Sequence, residues 1–217
     1  MLKSRDESRP SAGRALLAFS AAVFVFHQLP TLAGDTAGDW IDLVTPFAVV
    51  AAAAFLLGRD APALALVVAV VGALLYVDGH GIHLAANSIG HEQLTGDAKD
   101  VTHFWDEEWG HAEWHLGWFV LVLAACLGER GRPVRLQPWQ AVVSALLLGW
   151  ALFVSTVEGS TWWLELGATA VFVPWAAAAQ RPVLVACAAG FGFAALLIGV
   201  WALWHGGVPQ FSEVGFI

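Results

Sequence analysis

The chain has 217 residues, of which 58% are hydrophobic and only 13% charged, with 12 Trp and 13 Phe. A soluble domain carries about 25% charged residues, so lipid rather than water is the expected solvent for most of this chain. The net charge of −8 comes without a basic stripe, which excludes a nucleic-acid partner. Cys126 and Cys187 both fall in apolar runs, which argues against a disulfide frame or a CxxC site.

A helix needs about 20 apolar residues to cross the hydrocarbon core, and seven segments meet that test between breaks of Pro, Gly or charge. They cover residues 14–33, 42–58, 63–90, 103–127, 138–157, 162–179 and 182–205, with 92–102 as a polar loop. The expected fold is all-α, a polytopic transmembrane helix bundle forming a single domain over residues 1–217. Basic residues orient it. Lys3, Arg5, Arg9, Arg14, Arg59, Arg130, Arg132, Arg135 and Arg181 fall on one side of seven alternating spans, and only Lys99 falls opposite. That pattern expects a multi-pass protein of the cell membrane, with a cytoplasmic N-terminus and an extracytoplasmic C-terminus. A rival reading takes residues 1–33 as a cleaved signal peptide, but the apolar stretch outruns a usual h-region and contains His27.

The same map sorts the ionisable groups. All eight histidines and fourteen of the eighteen acids fall in outer halves of spans or in outer loops. A charge at mid-span costs about 2.5–3.5 kcal/mol on insertion scales, so retained clusters face cavities and act there. The cluster concentrates in spans three and four. On the third, His80, His83, Asn87 and His91 share one narrow face at helical spacing, with Tyr76 beneath them; Asp78 points elsewhere. On the fourth, His103, Glu107, His111 and His115 recur every four residues. In an antiparallel hairpin turning near residue 97, positions whose numbers add to about 194 share a depth. His91 then meets His103, Asn87 meets Glu107, His83 meets His111, and His80 nearly meets His115. Gly79, Gly81 and Gly110 are the places where such helices could break. Trp105, Trp109, Trp114 and Trp118 read as an interfacial belt, as do Trp162, Trp163, Trp201 and Trp204. Gly190, Gly192 and Gly199 read as close-packing positions.

Neutral imidazole is a good ligand for divalent metals, and pairs at i, i+3 or i, i+4 offer two donors to one ion. His80, His83, His111 and His115 are the expected ligands, and zinc is favoured over iron. A shared ion requires the nitrogens of His83 and His111 within about 5 Å of each other. Glu107 and Asp106 are the candidate catalytic carboxylates, with Asn87, His91, His103, Glu158 and His205 in support. Glu165 could also contribute, and His27 is the outlying histidine.

The run His111-Ala-Glu-Trp-His115-Leu-Gly resembles the HxxxH motif, with Trp before its second His, of alkaline ceramidases. Those belong with adiponectin-type receptors among seven-helix membrane hydrolases, in which a histidine-held zinc activates water against a lipid amide. The resemblance covers about seven residues and implies His111 and His115 as zinc ligands; in the family the motif lies in the last helix, whereas here it opens span four. Three functions fit these features. A metal-dependent hydrolase of membrane lipid or an amphipathic substrate leads. A di-iron or haem oxidoreductase of desaturase or hydroxylase type lacks its paired HH motifs here. A metal or proton transporter, or a sensor, expects polar groups continuing through the bare inner half.

Overall fold

The computed structural model describes residues 12–33, 35–90, 94–129 and 134–216. These form one helical bundle without strands among the described residues. Helix α1 covers Ala12–Ala33, α2 Asp35–Leu57 and α3 Ala63–Gly90. A short α4, Asp97–His103, runs into a π-helix, Phe104–Gly110, and on into α5, His111–Gly128. Helices α6, Pro138–Glu158, α7, Trp162–Ala179, and α8, Pro182–His205, complete the chain. Six stretches are long and apolar enough to cross a membrane: Ala12–Pro30, Ala37–Leu57, Ala63–Gly90, Asp97–Gly128, Pro138–Glu158 and Pro182–His205. Two boundaries differ from the sequence reading. Helix α2 begins seven residues before Asp42. The described part of the expected 92–102 loop is helical from Asp97, where Asp97 and Asp100 place negative charge in the first turn.

Helices α3 and α5 form the tightest pair, and glycines set their distance. A Cβ on Gly72 would lie 2.8 Å from the Leu121 amide nitrogen, and one on Gly110 3.0 Å from that of His83. A Cβ on Gly79 would collide with the Trp114 backbone, and one on Gly117 with that of Tyr76. Each glycine therefore receives a larger residue of the other helix, and each facing pair adds to 193. The depth matching read from the sequence is off by one. The glycines do not break the helices; they let the two backbones touch.

Prolines inside helices leave carbonyls that a membrane cannot hydrate. Pro30 in α1 frees the carbonyl of Phe26, and the Thr45 hydroxyl lies 3.2 Å from it, its one proton shared with the Ile41 carbonyl at 3.0 Å. Pro46 in α2 frees the carbonyl of Asp42, and His80 Nε2 donates to it at 2.9 Å. Both repairs tie neighbouring helices together. The core between them is filled by Phe19, Tyr76, Trp118, Leu148, Leu152 and Phe191, all buried, while Val67, Leu74 and Leu196 face outward as lipid-facing residues would. Gly190 packs against the Ala145 carbonyl as expected for a close-packing glycine, but a Cβ on Gly192 would meet only the Val173 side chain, at 4.0 Å, and one on Gly199 nothing within 4 Å.

The two ends of the bundle differ in chemistry. At one, the Glu129 carboxylate accepts the Val183 and Leu184 amides at 2.9 and 3.2 Å, closing the orphan N–H groups that begin α8. Arg181 donates there to the Cys126 carbonyl at 2.7 Å and stacks over Trp175. Cys126 and Cys187 are free thiols, both buried. At the other end lie the histidines. Helix α7, 18 residues and so about 27 Å long, runs from the histidine end, beside Thr161, to the arginine end, beside Arg181. Gly206, in the left-handed region at φ 70°, stops α8. The chain then folds back across the histidine end, with Trp201 Nε1 donating to the Pro209 carbonyl at 2.9 Å and Phe211 buried.

Candidate metal centre

The site begins with a change of helical pitch. In an α-helix residues four apart overlay, but the π-helix bonds i to i+5 and carries one more residue per turn. Asp106 and His111, five apart, thereby come onto one face toward α3. There His83 Nδ1 lies 2.7 Å from Asp106 Oδ1, and the rings of His83 and His111 stand 4.3 Å apart between centroids. One ligand atom each from His83, Asp106 and His111 lies within 4.8 Å of the others. His83 is half-buried, and Asp106 and His111 are buried. This meets the separation that two histidines sharing one ion require.

His83 and His111 are both packed against glycines. Gly110 lets the His83 backbone press onto the π-helix. Gly159, at the end of α6, makes room for His111, since a Cβ there would lie 2.6 Å from the imidazole Cδ2. His111 Nδ1 is buried with no hydrogen-bond partner, and Glu107 Oε2 stands 3.7 Å from it. Gln210, from the returning C-terminal segment, donates to Glu107 Oε2 at 3.0 Å and also to the Glu158 carbonyl. The Glu158 carboxylate accepts the Phe211 and Ser212 amides at 2.8 and 3.2 Å. Glu158 therefore anchors the segment that holds Glu107, and has no ligand position of its own.

Two of the four expected ligands turn elsewhere. His80 Nε2 faces the Asp42 carbonyl and lies 3.1 Å from Asp42 Oδ1. Both partners only accept, so this nitrogen carries a proton, while Nδ1 is buried without a hydrogen-bond partner. His115 turns to the opposite neighbour, its Nδ1 2.6 Å from the Thr161 hydroxyl, with Nε2 unpartnered. Trp114 separates them, 4.5 Å from the His80 ring and 4.7 Å from that of His115. Trp114 and Trp118 are thus buried among the histidines, and the belt reading fails for both. Trp105 and Trp109 are exposed, as a belt requires. His27 is also integrated: its Nδ1 donates to the Val23 carbonyl at 2.7 Å, its Nε2 accepts from the Tyr76 hydroxyl at 2.9 Å, and its ring stacks on Trp118.

The remaining sequence candidates divide. Asn87 is half-buried and His103 exposed. His205 is exposed and packs on Trp201, and is not part of the group formed by His83, Asp106 and His111. His91 lies outside the described residues. Asp42 and Gln210 are the partners that sequence periodicity did not single out. Asp42 carried a signal, because it stands four residues before a proline within an apolar run. Gln210 lies in an aperiodic segment and carried none. Comparison with protein-family models, curated proteins and solved structures finds no match to this chain.

Proposed function

We propose that this chain is a seven-span protein of the cell membrane whose extracytoplasmic end holds one catalytic divalent metal, zinc by preference, and hydrolyses a lipid or amphipathic substrate there. One observation carries the reading: His83, Asp106 and His111 offer three ligand atoms within 4.8 Å. Three protein ligands of the two-histidine, one-carboxylate kind leave a further position for water, which is the pattern of catalytic rather than structural zinc. The buried, unpartnered His111 Nδ1 fits the same account, because coordination supplies the partner that a desolvated nitrogen otherwise lacks. A bound ion lowers the pKa of water to roughly 7 and polarises a carbonyl or phosphoryl oxygen. Glu107, beside His111 and steadied by Gln210, is the carboxylate placed to take the proton. Asp106 becomes a ligand in this account, not a base.

The HxxxH resemblance contributes His111, since His115 lies outside the group formed by His83, Asp106 and His111. The orientation rests on the clustering of basic residues, and the seventh span on α7 running between the two ends. The same ligand set also suits mononuclear ferrous iron, which makes an oxygen-dependent oxidoreductase the second reading. A single such group among the described residues speaks for one ion rather than a di-iron pair.

Metal analysis of the purified chain separates these. About one zinc per chain is expected, lost in His83→Ala, His111→Ala and Asp106→Asn, and retained in Glu107→Gln with hydrolysis abolished. One iron per chain would establish the second reading. Wild-type protein that is folded and metal-free would overturn both.

A further inference from the structure

A hollow of about 370 Å³ opens beside the metal centre. Its walls include Phe104, Trp109 and Trp163, the carboxylates Glu107 and Glu108, and Thr161. One of these adjoins the site already described, since Glu107 approaches His111, and Thr161 meets His115. The Trp109 indole N–H donates to Glu113 Oε2 at 2.8 Å, which fixes the ring and removes its donor, leaving an apolar and π surface. None of the described residues lining the hollow is basic.

Three aromatic rings and two carboxylates around one space select among ligand classes. An anion would meet two like charges with no counter-charge. A neutral acyl chain would gain nothing from the carboxylates and would dehydrate them. A small hydrated metal ion would make no use of the rings. An organic ammonium group uses both, through ring faces and opposite charge, as in aromatic cages for quaternary ammonium. Trp109 and Trp163 are about half exposed, as residues at a membrane–water interface are, where a lipid presents its head group.

We infer that this hollow receives an organic ammonium group, the head of a lipid or of a soluble amphiphile, and so defines the substrate class offered to the adjacent metal centre. The inference rests on the proposed metal-dependent reading for its catalytic consequence, and the hollow can be tested apart from it.

The test uses the full chain in neutral detergent, titrated with tetramethylammonium chloride and followed by saturation-transfer NMR of the methyl signal. The neutral isostere 3,3-dimethylbutanol is the control, and metal content is measured on every sample. Saturable binding is expected, weakened about tenfold in Trp163→Leu and in Glu108→Gln with metal content unchanged. A second arm compares retention of phosphatidylcholine and phosphatidylglycerol by the chain in nanodiscs. Preferential retention of the choline lipid assigns the ammonium group to a membrane lipid, and equal retention assigns it to a soluble compound. Tetramethylammonium binding no better than that of the isostere, or unaffected by both substitutions, overturns the inference. If the metal is present in those samples, the metal reading stands without it; if the ammonium binds to metal-free wild type, only the metal reading falls.

Discussion

His80 shows how one residue can look like a ligand in sequence and serve a different partner in the fold. It shares a helical stripe with His83, and periodicity alone treats the two alike. The difference lies on another helix, where Pro46 withholds an N–H from the Asp42 carbonyl and His80 Nε2 supplies one at 2.9 Å. This predicts a specific coupling. His80→Ala leaves that carbonyl unsatisfied in the bilayer and costs about 1–3 kcal/mol beyond the cavity it creates. In a Pro46→Ala background the backbone N–H restored at that position takes over the carbonyl, so the same His80→Ala change becomes milder by about 1 kcal/mol. Denaturant unfolding of the four proteins in detergent reads the cycle, and strictly additive costs would refute the tether. His83 and His111 were legible from spacing because nothing off their own hairpin competes for them. Asp106 was legible as a candidate carboxylate but not as the partner of His83, since a period of 100° per residue favours Glu107 on the stripe.

At the scale of elements, the α3–α5 pair was read nearly to its register, and the π-helix was not read at all. The register is legible because polar positions on both helices share a face and the hairpin fixes their depth. The pitch change is not, because Phe104–Gly110 contains ordinary helix formers apart from its last residue, and i→i+5 bonding leaves no compositional mark. Its consequence is local: the wider turns bring Asp106 under His111. The glycines of the pair supply an internal control. Gly79→Ala drives a methyl into the Trp114 backbone, whereas Gly81, on the same helix, has nothing within 4 Å. The first should lower stability by about 3 kcal/mol or more, since backbone cannot repack as a side chain does. The second should leave stability unchanged or raise it by up to about 1 kcal/mol, from alanine's helix propensity. Thermal unfolding of both variants decides; equal effects would mean that the backbones do not touch where the register puts them.

For the whole molecule, the decisive quantity is the parity of crossings, and it turns on α7. By length and composition six stretches are apolar enough to span, and α7, with Glu165 buried inside it, is not among them. Yet the chain must pass from Thr161, beside His115, to Arg181, beside the Cys126 carbonyl, and α7 is the segment that covers the distance. Glu165 is enclosed by the protein and partly satisfied there: Oε1 lies 3.1 Å from the Thr169 hydroxyl, which also lies 3.1 Å from the Phe191 carbonyl of α8, while Oε2 is buried without a partner. Hydropathy counts such a residue as if lipid surrounded it, which is why a window average misses a helix whose polar group is enclosed. The two parities give opposite labelling. Cys126 and Cys187 are buried, so an introduced thiol reports alone. Between Arg59 and Ser212 the chain crosses five times if α7 spans and four times if it does not. Five crossings place the two residues on opposite sides, and the proposed orientation puts Arg59 inside. A membrane-impermeant maleimide should therefore label Ser212→Cys in intact cells and Arg59→Cys only after permeabilisation. Labelling of both from one side would remove α7 from the membrane. Labelling of Arg59→Cys alone in intact cells would keep seven crossings but invert the molecule, turning the histidine end, with the proposed metal centre and its hollow, toward the cytoplasm.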